Sequence, residues 1–262
     1  MSKFGSDQVA FCVLGGYDIL SGVLISLTDK EETITEESHT LGDAWVEHSP
    51  VGVRRAELTI DAFYDDATLG IDECFSTNQS AAIGAARALV YGVEGNTTGV
   101  QFVGWQPAQV IDYERVLSRG SLHRVKATLR NGQRTGAPTV IEQGRIIKPL
   151  AGVTATGNTT GAAIDFSASN VSGGAAWLAI TSLVGFEATG LVVDIMHSAD
   201  NLTFSTHAGL LSVSASTPNG VVNSWLQRVV STAPVQRYVA ARWVAGTGFG
   251  TSAQFMVGFA PK

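Results

Sequence analysis

Cysteine is nearly absent: Cys12 and Cys74 are the two in 262 residues. They lie far apart and lack metal-ligand spacing, which excludes a disulfide scaffold and predicts reduced thiols made in a reducing cytoplasm. Charge is also scarce, at 15% of residues, and the net balance of −6 speaks against a general nucleic-acid binder. Long apolar runs are missing. Residues 9–14 are too short for a signal core, and no segment approaches the roughly 18 residues of a membrane span. Nucleotide signatures are missing too; Gly15-Gly16 and Gly173-Gly174 read as turns. The five histidines (His39, His48, His123, His197, His207) show no metal-ligand spacing. No serine sits in a nucleophile elbow. The acid pairs Asp65-Asp66 and Asp72-Glu73 read as turn residues. The chain is therefore predicted to be non-enzymatic, with no catalytic residue, cofactor or metal.

What is present is β-sheet pattern. Hydrophobic residues make up 45%, enough for a substantial core. In "RRAELTIDAFY", Ala56, Leu58, Ile60, Ala62 and Tyr64 share one face. Arg55, Glu57, Thr59 and Asp61 share the other, so one face is dry and one wet. "SLHRVKATLRNG" alternates in the same way, with His123, Val125, Ala127 and Leu129 against Arg124, Lys126, Thr128 and Arg130. One helix is predicted over residues 78–91, capped near Ser76, Thr77 or Asn78, with Ile83, Ala86 and Val90 on one side.

Charge divides the chain. Residues 1–150 hold 13 Lys/Arg and 19 Asp/Glu; residues 151–262 hold 4 of each. Glycine and proline cluster over residues 131–157, and seven or eight short strands follow. The expected division is one domain over 1–150 and a second β-sandwich, immunoglobulin-like or jelly-roll, over 151–262. In the second, Trp177, Tyr238 and Trp243 lie within strand patterns and read as core. Trp225 and Phe249 lie near turns and read as exposed.

Residues 29–50 form an over-long polar segment between two strand patterns. It carries Asp29, Glu31, Glu32, Glu36, Glu37, Asp43 and Glu47 against a single lysine, Lys30. Hairpins ordinarily turn in two to five residues, so this segment is expected to be an extended loop.

A strand like "GVLISLTD", the acidic segment, "LGDAW" and then "GVRRAELTIDAFYDD" together resemble the start of tail tube proteins of long-tailed bacteriophages. "WLAITSLVGFEATGLVVDIMHSADNLTFST" with "QRYVAARWVAG" and "SAQFMVGFA" resembles a β-sandwich module often appended to such proteins. The resemblance implies a mainly-β fold: a tail-tube-type sandwich or barrel flanked by one short α-helix. It implies six copies per ring, four strands from each lining an inner barrel, and rings stacked into a tube that conducts DNA without gripping it. Other implied partners are tape measure, tail terminator and distal tail proteins, with no membrane. The implied location is the virion tail, assembled in the host cytoplasm. Arg55, Glu57, Thr59 and Asp61 would then face the lumen. The seven acids would contact the next ring, against candidates Arg115, Arg119, Arg124 and Arg134. The alternatives are a carbohydrate-binding or adhesion module and a capsid decoration protein.

Overall fold

A computed structural model describes residues 12–14, 17–19, 24–38, 47–65, 71–76, 87–92, 95–117, 119–131, 140–184, 191–207, 210, 212–215, 225–245 and 252–262. The first strands are β1 (Cys12–Leu14), β2 (Tyr17–Asp18), β3 (Leu24–Ser38) and β4 (Glu47–Phe63). A short helix, α1 (Ile71–Ser76), precedes β5 (Arg87–Gly92), β6 (Gln101–Val116), β7 (Arg124–Asn131) and β8 (Val140–Val153). Two short strands follow on either side of a 3-10 turn, β9 (Gly157–Asn158) and β10 (Ile164–Asp165), and then the longer β11 (Gly174–Val184). The chain continues through β12 (Leu191–Ser198), β13 (Ser205–Thr206), β14 (Ser212–Ala215), β15 (Trp225–Ser231), β16 (Tyr238–Ala245) and β17 (Ser252–Pro261). The fold is mainly β, as expected.

Eleven strands form one antiparallel sheet, and it branches at β6. The first half of β6 lies between β5 and β8. Its second half pairs with β7, then β7 with β4 and β4 with β3. Six further strands form a second sheet with β16 and β12 at its centre.

The alternation read in the sequence accounts for the first core. Ala56, Leu58, Ile60 and Ala62 of β4 are buried, as are Val125, Ala127 and Leu129 of β7. They pack with Trp105, Leu89 and Tyr91, and with Ile71, Cys74 and Phe75 from α1. The second core fills the space between the two sheets: Leu178 and Ile180 of β11 meet Val193 and Ile195 of β12, beside Val239 and Phe255. Trp177 is fully buried and Trp243 packs partly buried on this core, as expected, while Tyr238 is half-buried. Phe249 and the Trp225 side chain lie outside the described residues.

The helix expected over 78–91 is corrected at its C-terminal end. Residues 87–91 belong to β5, the α-helix among the described residues is the six-residue α1 at Ile71–Ser76, and residues 77–86 lie outside the described set. The physical reason is burial on both faces. Leu89 and Tyr91 enter the first core, while Ala88 and Val90 enter a third cluster with Phe102, Ile146, Leu150, Trp177, Ala179 and Met256. A run apolar on both sides satisfies helical spacing as well as strand spacing.

That third cluster joins the two expected domains. β8 spans residue 151 and pairs with β6 on one side and β17 on the other. Glu142 of β8 accepts from Trp177 Nε1 at 2.8 Å and from Arg228 Nε at 2.9 Å. Gly104 leaves room for the Trp177 ring, since a Cβ there would sit 2.7 Å from it. Lys148, 3% exposed, donates to the carbonyls of Pro149, Ala151 and Phe255 at 3.0, 3.1 and 2.8 Å. A chain cut after Leu150 loses β17 and β11, and with them the partners of Ile146, Ile147 and Leu150. We expect it to be recovered mostly as aggregate, because a cut strand edge and an opened core both promote association. Size-exclusion chromatography of the truncated and full chains checks this.

Candidate functional site

The order β3-β4-β7-β6 makes a four-stranded sheet with one dry face on the first core and one wet face. Directly opposed residues share a face, so the register defines the wet one. Thr59 lies between Thr28 and Thr128, and Thr128 faces Asp112. Glu57 lies between Lys30 and Arg130; Asp61 lies between Ser26 and Lys126, which faces Glu114.

The charges on this face balance. Lys30, Arg124, Lys126 and Arg130 stand against Glu57, Asp61, Asp112 and Glu114. Arg130 Nε donates to Glu57 Oε2 at 2.7 Å, and Arg124 lies 3.9 Å from Asp61 Oδ2. These pairs are partly exposed, so they contribute little stability; their effect is to neutralise the surface locally. Glu57, Thr59 and Asp61 are thus brought together on one partly exposed face, while for Arg55 only the backbone is described. At one end the face finishes on Phe63 and Val116, both 37% exposed, followed by Leu117 and Leu122 at 61% and 74%.

Residues 29–50 are not the extended loop expected. β3 and β4 continue as a hairpin from Leu24↔Ala62 out to Ser38↔Glu47, with residues 39–46 outside the described set. β7 stops at Asn131, whose Oδ1 accepts from the Ala56 N–H at 2.8 Å. Beyond that point the two strands form a ribbon reaching about 24 Å. Glu31, Glu32, Glu36, Glu37 and Glu47 lie on its backbone, and Asp43 falls outside the described residues. Asp29 sits at the root and accepts a hydrogen bond from Tyr91 Oη. Burial pushes its carboxyl up, and the tyrosine partly offsets this.

The candidate arginines separate. Arg115 lies on the dry side, its Nε 2.7 Å from Asp72 of α1, where Tyr113 Oη also donates. Arg119 and Arg124 are exposed at the β6–β7 turn, the end of the sheet opposite the ribbon. Arg134 lies outside the described residues. Sequence reasoning missed Asp112 and Glu114 on the wet face. The register of β6 shifts between Val110 and Asp112, which breaks the alternation that would have shown them.

No described strand forms a ladder along the outer edge of β3, or along the far side of β6 beyond Ala108. β6 and β4 run one way, β7 and β3 the other. A β6 edge from a second copy laid along β3 would therefore continue the antiparallel order. No described cluster of three or more His, Cys, Asp or Glu residues could hold a metal ion.

No family model matches the chain, and no curated protein matches it significantly. Among solved structures, a chain from the virion of a native gene transfer agent particle is similar at TM-score 0.39 and 14% identity, covering 53% of this chain and 98% of that one. A chain from the tail of an empty gene transfer agent particle, refined with C6 symmetry, gives 0.40 and 13% over the same shares. The Dit protein of phage SPP1 gives 0.31 and 10%, covering 95% of this chain and 98% of that chain. Likeness at this level assigns no role to this chain.

Proposed function

We propose that this chain is a structural subunit of a virion tail, whose copies close into hexameric rings that stack into a tube conducting double-stranded DNA. The observation that supports this most is the four-stranded sheet itself: with no described strand laddered along either edge, dry on one face and charge-balanced on the other. Joining the β3 edge of one copy to the β6 edge of the next removes both edges, which would otherwise invite uncontrolled pairing. Twenty-four strands about 4.8 Å apart and tilted about 45° give a circumference near 160 Å. After side chains the bore is about 40 Å, wide enough for a duplex of roughly 20 Å.

The wet face then lines the bore. A balanced wall suits passage, because each firm phosphate contact adds salt-dependent affinity and repetition over many rings would hold the duplex. The ribbon reaches the adjacent ring, bringing its acids toward the β6–β7 turn with Arg119 and Arg124. The second sheet and its core sit outside the barrel.

Changing Glu57 and Asp61 together to lysine tests the lining. The face moves from balanced to a surplus of four positive charges per copy, repeated six times in each ring. Tubes of E57K/D61K should retain duplex DNA at low salt at least about tenfold more strongly than wild-type tubes and release it as salt rises. Electron microscopy establishes that both form hollow tubes, and a filter-retention assay compares the DNA held. Equal retention by the two would remove this face from the bore.

A further inference from the structure

The 233–236 segment leads into β16 and walls a cavity of about 340 Å³, lined in part by Phe166, Asn170, Val171, Val235, Gln236 and Val239. Val235 is bridged to Asn170 by two backbone hydrogen bonds of 2.8 Å, and two histidines hold the residues on either side of it. His207, 3% exposed, points Nε2 at the carbonyls of Ala233 and Pro234, 3.3 and 3.2 Å away. Both are acceptors, so Nε2 carries the proton; Nδ1 is buried without a partner among the described residues. His197, on β12, has its ring centroid 4.9 Å from that of His207, edge to face. Its Nδ1 accepts the Gln236 N–H at 3.2 Å. An imidazole that accepts at Nδ1 is neutral and carries its proton on Nε2.

We propose that His197 is a proton-operated latch on the 233–236 segment, closed when the imidazole is neutral and released when it is protonated. Protonation puts a hydrogen on Nδ1 facing the Gln236 N–H, so two donors oppose each other. It also places a cation beside the His207 ring. The neighbouring charges do not compensate. Arg237 is paired with Asp165 at 2.5 Å. Asp200 accepts from Ser198 Oγ at 2.8 Å and from the Leu202 and Thr203 N–H groups inside its own turn. Asp194, on the same strand as His197, is paired with Arg242. The residues opposite His197 are Val239 and Ser205, neither ionised, and Tyr238 carries the Arg237 guanidinium over its ring.

Burial, and then His207 beside it, hold the His197 imidazole below its ordinary value. The sign follows from linkage. The unfolded chain takes up this proton near its ordinary value of about 6.5, ahead of the folded one. The contribution is fully present above that value and is lost as pH falls through the lower folded value. The latch therefore opens in acid.

Hydrogen exchange on the full chain tests this, at about pH 8 and about pH 5 after correction for intrinsic rates. Peptides covering 233–240 should lose protection about tenfold in acid, while those covering 124–131 do not. His197→Asn keeps an acceptor that does not titrate, and in that variant the segment should stay protected at both values. Unchanged wild-type protection, or a variant that responds as wild type does, would overturn the latch. Nuclear magnetic resonance of the wild-type chain gives a second reading that needs no variant. The Gln236 amide and the His197 ring should titrate with one midpoint, and separate midpoints would also overturn it.

Discussion

Replacing residues 33–54 with Asn-Gly should leave a folded subunit that no longer grows tubes. Glu32 and Arg55 are directly opposed in the β3–β4 hairpin, so a two-residue turn can close the ladder there without shifting register. Every strand pair of β4 with β7 lies beyond the cut, from Glu57↔Arg130 to Phe63↔Arg124, and is retained. The contact of Asp29 with Tyr91 is retained too. What is removed is the part of the β3–β4 hairpin that makes no ladder with β7. The thermal midpoint should therefore stay within a few degrees of wild type. Under the proposed function, rings lose their longest reach toward one another, and electron microscopy should show single rings or monomers where wild type shows tubes. Full-length tubes from the shortened chain would remove the ribbon from stacking. A misfolded product would instead show that the ribbon is part of the subunit's own fold.

The largest loss of stability is expected at Trp177. Its ring lies over Gly104, its side chain is fully buried in the cluster joining the two halves, and its Nε1–H donates to Glu142. Trp177→Ala opens a large cavity and removes one donor from a carboxylate that is largely buried. Substitutions of this kind cost about 3–5 kcal/mol, and the upper part of that range is expected here. Gly104→Ala, which drives a Cβ against the same ring, should cost about 1–3 kcal/mol. Urea unfolding measures both. A loss below about 1 kcal/mol for Trp177→Ala would mean the surrounding strands close over the cavity.

The parts of the fold legible in the sequence are those where burial alternates. Residues 55–61 and 124–130 show one apolar and one charged side because each strand separates the first core from solvent. Residues 29–38 and 47–50 are not legible as strand because polar residues dominate both alternating sets, and alternation between polar residues carries no signal of burial. Thr33-Ile34-Thr35, a β-branched run inside the acids, was the remaining hint of extended structure. β5 was misread for the opposite reason, being apolar on both sides. Of the candidate site, Glu57, Thr59 and Asp61 were named from the sequence. The pairing of their counter-charges, Lys30 on β3 with Lys126 and Arg130 on β7, comes from register, which no single strand discloses. Nor could composition show that β8 would be shared, since glycine and proline near residue 151 mark a bulged strand as readily as a linker.

The shared strand has a mechanical consequence. β8 is fixed to β6 by six residue pairs on one side and to β17 by six on the other. Force applied along the strands at β11 or β17 therefore loads these ladders in shear. In shear the hydrogen bonds of a ladder resist together, whereas in peeling they yield one after another. A pull on β11 or β17 thus reaches the four-stranded sheet as tension through continuous backbone hydrogen bonding by way of β8 and β6. The subunit should transmit torque and bending as a single stiff lever.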